Sequence, residues 1–327
     1  MTRTVRTDDP PLGDFIEVDG RRLWYLRSGD GGPAVVFVPG AGSFGLDFLL
    51  VVHRLVVHGQ VVHHQVVQRQ AGEQPAALLY DRAGTGWSED VPLPRSLDAV
   101  TDELRDLLDV LQVLPPYLFV GHSLGGAYVQ RYAQRFPEDV AGMLLLDPLH
   151  EDWDEYLPPA LRLTARDPAA APTAAGEVTE PNLPAPVLDQ LRAMLSDSMS
   201  GFPEPVRDAV VARHASPERL MTGFREGLNA LDVVADLRRG GPRPDVPVTI
   251  LSAGSVDSQQ LMFATQEQLR EQLRGSERLY AAIAAAAPQG EHRRLADASH
   301  ATLPMTHPEA VADAVAELLA RIPSVSE

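Results

Sequence analysis

The chain has 327 residues, enough for one large domain carrying an insertion or for two domains. It holds no cysteine, which excludes disulfides and thiolate chemistry, and its formal net charge of −17 argues against nucleic acid and anionic membranes as partners. All 28 basic residues are arginine, residues 1–15 hold no apolar core of the kind a secretory signal needs, and no run approaches the roughly 20 apolar residues of a membrane span, so a cytoplasmic protein is expected.

"FIEV" and "RRLWYLRS" flank Asp19-Gly20, the pattern of a β-hairpin. "AVVFV" (34–38) is a continuous apolar run that stops at "PGAGSFG", a buried strand entering a loop. "AALLY" (76–80) is a second such run, ending in "DRAGTGWS". From Ser96 the apolar residues Leu97, Val100, Leu104, Leu107, Leu108 and Leu111 follow helical spacing. "YLFVG" (117–121) predicts a strand, 124–136 a helix, and "VAGMLLL" (140–146) a strand ending at Asp147-Pro148. Residues 148–245 are rich in Pro and Ala and contain helical pieces but no strand run. "VPVTILS" (246–252) restores a strand. A helical stretch of about 30 residues follows, then "EHRRLAD" and a final amphipathic helix near His307-Pro308-Glu309. Strands alternating with helices predict an α/β architecture: a parallel sheet with helices on both faces, 1–147 and 246–327 forming the core and 148–245 a helical insertion over the strand ends.

Residues 51–70 read "VVHRLVVHGQVVHHQVVQRQ", a five-residue repeat holding His53, His58, His63 and His64. A period of five matches neither 3.6 nor 2, so these histidines do not line one face, and an extended helical repeat is expected rather than a metal site.

Gly121-His122-Ser123-Leu124-Gly125 fits G-x-S-x-G between a predicted strand and a predicted helix. A sharp strand-to-helix turn there holds the serine in a strained conformation with its hydroxyl projecting from the sheet edge. Side chains two residues to either side would collide, which explains glycine at 121 and 125. The helix that follows directs its N-terminal N–H groups toward the same place.

From about residue 14 to 322 the chain resembles the α/β-hydrolase fold family, on "VFVPGAGS", "YDRAGTGWS", "VGHSLGG", "LLLDP", "ILSAGSVD" and "ASHATLPMTHPEAV" in that order. The resemblance implies an eight-stranded, mostly parallel sheet, a Ser–acid–His triad and a helical cap between strands six and seven, which 148–245 fits. It makes Ser123 the nucleophile and His300 the general base. For the acid it offers Asp257, in the family's usual Gly-x-x-Asp turn after strand seven, and Asp147 after strand six, a position used by a minority of the family; Asp257 is preferred. Leu124, following the nucleophile, and Ala41, in the loop after strand three, would supply the oxyanion-stabilising amides. Pro39-Gly40 stands where the family has His-Gly, which alters that loop's shape but leaves its backbone donors. Gly40, His122 and Trp153 are further candidates for contact with substrate. In "YDRAGTGWS", Asp81 and Arg82 are placed to pair, and Trp87 is read as core rather than pocket.

The resemblance implies a serine hydrolase acting on a carboxylic ester of a small apolar compound through an acyl-enzyme, with no metal or organic cofactor. Thioester, lactone and acyl-transfer chemistry use the same triad, and a non-catalytic relative that binds a small molecule is the reading from another class. Members that open epoxides carry Asp at the position of Ser123. A small-molecule substrate is the expected partner, with a homodimer left open.

Overall fold

The computed structural model describes residues 9–57, 61–62, 65–66, 75–165, 184–257, 260–262 and 264–322. Eight strands form one sheet: β1 (Asp14–Val18), β2 (Arg21–Ser28), β3 (Gly31–Val38), β4 (Pro75–Tyr80), β5 (Tyr117–His122), β6 (Val140–Leu146), β7 (Val248–Ala253) and β8 (Gly290–Leu295). Their spatial order is β1-β2-β4-β3-β5-β6-β7-β8. β2 pairs antiparallel with both β1 and β4, and every other pairing is parallel, so β2 alone runs against the rest.

The continuous apolar runs have a physical cause. Every residue of β4, β5 and β7 is buried, because helices cover both faces of the sheet. Alternation sorts the side chains between two cores. Val36, Val38, Tyr117, Phe119, Met143 and Leu145 meet α2 (Leu97–Val110) and α3 (Leu124–Arg135) on one face. Val35, Phe37, Leu118, Val120, Leu144 and Leu146 meet α1 (Leu49–Val57) and the C-terminal helix on the other. Ser96 caps α2 by accepting from Ala99 N at 3.2 Å, satisfying one of the free amides of the first turn.

After β6 the chain leaves the sheet. The described part of the excursion contains no strand and is built on the helices α4 (Trp153–Tyr156), α5 (Ala185–Ser198), α6 (Glu204–His214), α7 (Pro217–Leu220), α8 (Thr222–Glu226) and α9 (Ala230–Arg239), with short 3-10 turns and loops between them. The chain then re-enters at β7. α10 (Gln266–Ala286) starts with a capping box between Thr265 and Gln268, and α11 (Leu303–Thr306) and α12 (Pro308–Arg321) complete the fold.

α1 contains His53, which is exposed, but the helix ends at Val57 and Val61–Val62 pairs antiparallel with Gln65–Val66, so the extended helix expected over 51–70 is not formed. His58, His63 and His64 lie outside the described residues. Among the described residues no group of three or more His, Cys, Asp or Glu is placed to hold a metal ion. Nor is any described helix long and apolar enough to cross a membrane.

Candidate active site

The turn after β5 is built as its sequence requires. Ser123 has φ 53° and ψ −119°, a left-handed value that costs a non-glycine residue of the order of 1–3 kcal/mol. Its amide donates to Leu146 O at 2.9 Å, and its carbonyl accepts from Gly126 N and Leu149 N, both at 3.0 Å. These bonds hold the turn in place. At Gly125 a Cβ would lie 2.1 Å from Val38 O, and at Gly121 it would lie 2.8 Å from Gly125 O, so only glycine fits either position.

His300, in the loop between β8 and α11, meets this serine: its Nε2 lies 3.0 Å from Ser123 Oγ. Its Nδ1 lies 2.6 Å from Asp147 Oδ2. A carboxylate only accepts, so Nδ1 carries the proton and Nε2 turns its lone pair to the serine hydroxyl. Asp147 is held by its own backbone as well as its side chain. Its amide donates to Leu251 O at 2.8 Å, its φ is 47°, and its Oδ1 accepts from Ala253 N at 3.3 Å.

The hydrogen bond to the imidazole thus goes to Asp147, not to Asp257, the acid the turn motif favours. Asp257 sits at the end of the neighbouring strand and accepts from Ala301 N at 3.0 Å with Oδ2. It thereby fastens the loop that carries His300. Burial by itself depresses the His300 pKa, but the hydrogen bond and charge of Asp147, with the charge of Asp257 beyond, outweigh it and raise the pKa above the ordinary value.

His122 does not face the cavity. It is buried, and its Nε2 donates to His300 O at 2.9 Å. This bond fixes the tautomer and leaves Nδ1 as a lone pair facing Gly40, where a Cβ would come within 2.9 Å. Burial first, then repulsion from His300, lower the His122 pKa to about 4, so the ring is neutral. Gly40 is itself buried, and a Cβ there would sit 3.1 Å from Ser123 Cβ; it backs the serine. Two of the three residues expected to touch substrate, His122 and Gly40, therefore support the site from behind.

In front of the serine lies a cavity of about 600 Å³. Ser123 and His300 open into it beside Ala41 and Leu124, the two candidate oxyanion amides. As the first residue of α3, Leu124 has no carbonyl one turn back to receive its N–H. Trp153 lines the cavity, with Leu149, Leu161, Leu163 and Phe224. Trp87 is 5% exposed and packs against Trp24 and Phe44, in the core.

The loop holding Ala41 is shaped by a residue the sequence pattern does not reveal. Arg82 is 1% exposed and does not pair with Asp81, whose carboxylate accepts from Gly45 N and Trp87 N. It donates to Pro39 O at 2.6 Å and Gly40 O at 2.9 Å, and pairs at 2.8 Å with Glu226, itself 3% exposed, at the end of α8. The second oxygen of Glu226 accepts from Gly42 N at 2.8 Å. Other inserted residues seat the excursion on the sheet. His214 stacks on Phe44 with ring centroids 3.9 Å apart and bonds Asp47 at 2.9 Å, while Arg219 reaches Gly84 O and Asp90.

The sequence profile of the Alpha/beta hydrolase family matches residues 35–314. The chain belongs to that family. This member is 44% identical over 69 residues to the protein YqjL of Bacillus subtilis, a match covering 21% of this chain and 27% of the relative. The chain spans well under two thirds of the first curated relatives it matches: 27%, 13% and 37% of their lengths. Among solved structures, the epoxide hydrolase CorEH superposes with a TM-score of 0.60 at 15% identity, covering 95% of this family member and 99% of CorEH. A thermophilic esterase from Thermogutta terrifontis does so with a TM-score of 0.57 at 17% identity, covering 94% and 99%. At these identities the likeness is one of fold.

Proposed function

We propose that this protein is a serine hydrolase that cleaves a carboxylic ester of a small, largely apolar compound through an acyl-enzyme. The observation that carries the reading is the relay Ser123–His300–Asp147, with successive contacts of 3.0 and 2.6 Å, opening into a cavity lined by Ala41 and Leu124. As the ester carbonyl approaches, His300 Nε2 takes the Ser123 proton and Oγ attacks the carbonyl carbon. The negative charge that forms on the carbonyl oxygen falls to the amides of Ala41 and Leu124. Imidazolium, stabilised by Asp147, returns the proton to the departing alkoxide, leaving the acyl group on Ser123. Water enters by the same steps in reverse and releases the acid. Thioesters and lactones present the same carbonyl, and acyl transfer replaces water with another alcohol.

The nucleophile's identity separates this reading from that of the epoxide hydrolase neighbour. An alcohol that opened an epoxide would form an ether, which water does not cleave under these conditions; a carboxylate is needed there to form a hydrolysable ester.

The test is hydrolysis of p-nitrophenyl esters over a range of acyl lengths by wild type and Ser123→Ala, with fluorophosphonate labelling of both. Wild type should turn over and label, and Ser123→Ala should do neither. Full activity in Ser123→Ala, or a wild type inert in both assays, overturns the reading.

A further inference from the structure

Apart from Ser123, His300 and Asp147, the polar side chains on the cavity wall are Arg162, Gln260 and Gln272, and Arg162 is the one cation among the described lining residues. Arg162 lies in the turn between two short 3-10 helices, Pro159–Leu161 and Leu163–Ala165. Its Nε donates to Leu157 O at 3.1 Å, which fixes the guanidinium plane and leaves both Nη groups available. Leu157 rests on α10: a Cβ at Gly275 would lie 2.5 Å from Leu157 Cδ2. Gln272 is three residues before Gly275 and so on the same helix face, and it too lines the cavity.

Arg162 is only half-buried, yet among the described residues it has no carboxylate within ion-pair distance, in a chain of net charge −17. The acids of its own segment are committed elsewhere. Asp154 accepts from Leu163 N at 2.6 Å, Thr164 N at 3.1 Å and Thr164 Oγ1 at 2.8 Å. Glu155 pairs with Arg238 at 3.2 Å. Inside the cavity the one other carboxylate among the described lining residues, Asp147, is occupied by His300 and Ala253 N. A rigid guanidinium with its forked donors free suits a planar anion.

Resting on the acyl-transfer reading above, we propose that the substrates are carboxylic esters bearing a second, ionised carboxylate, and that Arg162 is the specificity-determining residue that receives it. The ester carbonyl then sits at Ser123 and the free carboxylate at Arg162 in the same cavity, with the chain between them along its apolar wall.

The experiment compares mono-p-nitrophenyl esters of straight-chain dicarboxylic acids, from succinate to suberate, with the same compounds capped as methyl esters. A second arm compares 4-(butyryloxy)phenylacetate with its methyl ester, placing the charge on the alcohol side. Wild type, Arg162→Gln and Arg162→Lys are assayed at 0.15 M salt, which screens the overall charge. Wild type should favour the ionised member of at least one pair by about tenfold or more in kcat/KM, expressed in KM, with an optimum chain length. Arg162→Gln should bring that ratio to about one or below, and Arg162→Lys should restore part of it. Reading a ratio within each variant removes any general loss from misfolding. A wild-type ratio of one or less in every pair overturns the substrate class while neutral-ester turnover keeps the hydrolase reading standing. An undiminished ratio in Arg162→Gln overturns the role of Arg162. Turnover of no ester removes both readings.

Discussion

Glu226, at the end of a helix inserted after β6, and Arg82, in the loop after β4, form an ion pair at 2.8 Å with both side chains almost wholly out of water. Between them they hold three backbone groups of the loop after β3: the carbonyls of Pro39 and Gly40 and the amide of Gly42. Ala41 is thus clasped on both sides. Removing one partner of a buried pair leaves an uncompensated charge, at a cost of about 3–5 kcal/mol. Glu226→Ala is therefore expected to lower stability by that order and to lower kcat more than it raises KM. Glu226→Gln, which keeps an oxygen for Gly42 N, should lose less of both. Chemical denaturation beside ester kinetics checks the pair, and equal losses in the two variants would contradict it.

The two acids differ in what they hold. Asp147→Asn removes the group that fixes the His300 tautomer and is expected to reduce kcat by about 10⁴-fold, the size seen when a triad acid becomes an amide. Asp257→Asn still presents an oxygen to Ala301 N and should cost less than about tenfold. If Asp257→Asn proves the more damaging, the acid has been assigned to the wrong residue.

The pH dependence follows from the raised His300 pKa. Only the neutral ring accepts the serine proton, so kcat/KM should rise with pH along a limb centred above the usual histidine value of about 6.5. Loss of the Asp147 charge removes the main raising influence, so the residual activity of Asp147→Asn should titrate lower. In nitrogen NMR, His122 should stay neutral and protonated on Nε2 across this range, because its pKa is about 4. A limb below 6.5 in wild type would contradict the charge arrangement.

Gly42 and Gly20 share a φ of +71°, but only Gly42 has close neighbours: a Cβ there would meet Gly223 Cα of α8 at 2.9 Å, whereas at Gly20 nothing lies within 4 Å. Alanine at either site should cost about 1–2 kcal/mol for the left-handed backbone. Gly42→Ala should also push the inserted helix off the loop and lower kcat several-fold, while Gly20→Ala leaves kcat alone. Thermal unfolding and ester kinetics on the two variants separate backbone strain from contact.

Much of the fold is legible because its demands are local. A strand buried on both faces must be apolar throughout, and "YLFV" in β5 can be little else. The turn at Ser123 admits only glycine at 121 and 125, and that steric demand is written into five residues. The acid is harder to read, because Asp147 and Asp257 both follow strand ends and β6 pairs directly with β7. Which carboxylate meets the ring depends on the path of the loops, not on spacing. Glu226 lies 144 residues from Arg82 in a segment without strand periodicity, so its part in the loop comes from docking alone. Arg162 lies in the same segment, and no spacing in the sequence marks its place on the cavity wall. The one hint for Arg82 is a charged residue beside a fully apolar strand, which must find a partner somewhere.

The clasp at Gly42 also limits how such a protein can diverge. An insertion joined to the sheet only through its two ends could be exchanged whole, bringing a new pocket with it. Here α8 presents Gly223 to Gly42 and Glu226 to Arg82, so this inserted helix carries half of the scaffold on which the loop of Ala41 is cast. A chimaera that transplants this segment onto another sheet would need the recipient to supply both Gly42 and Arg82. Without them, substrate preference and catalytic competence would be lost together.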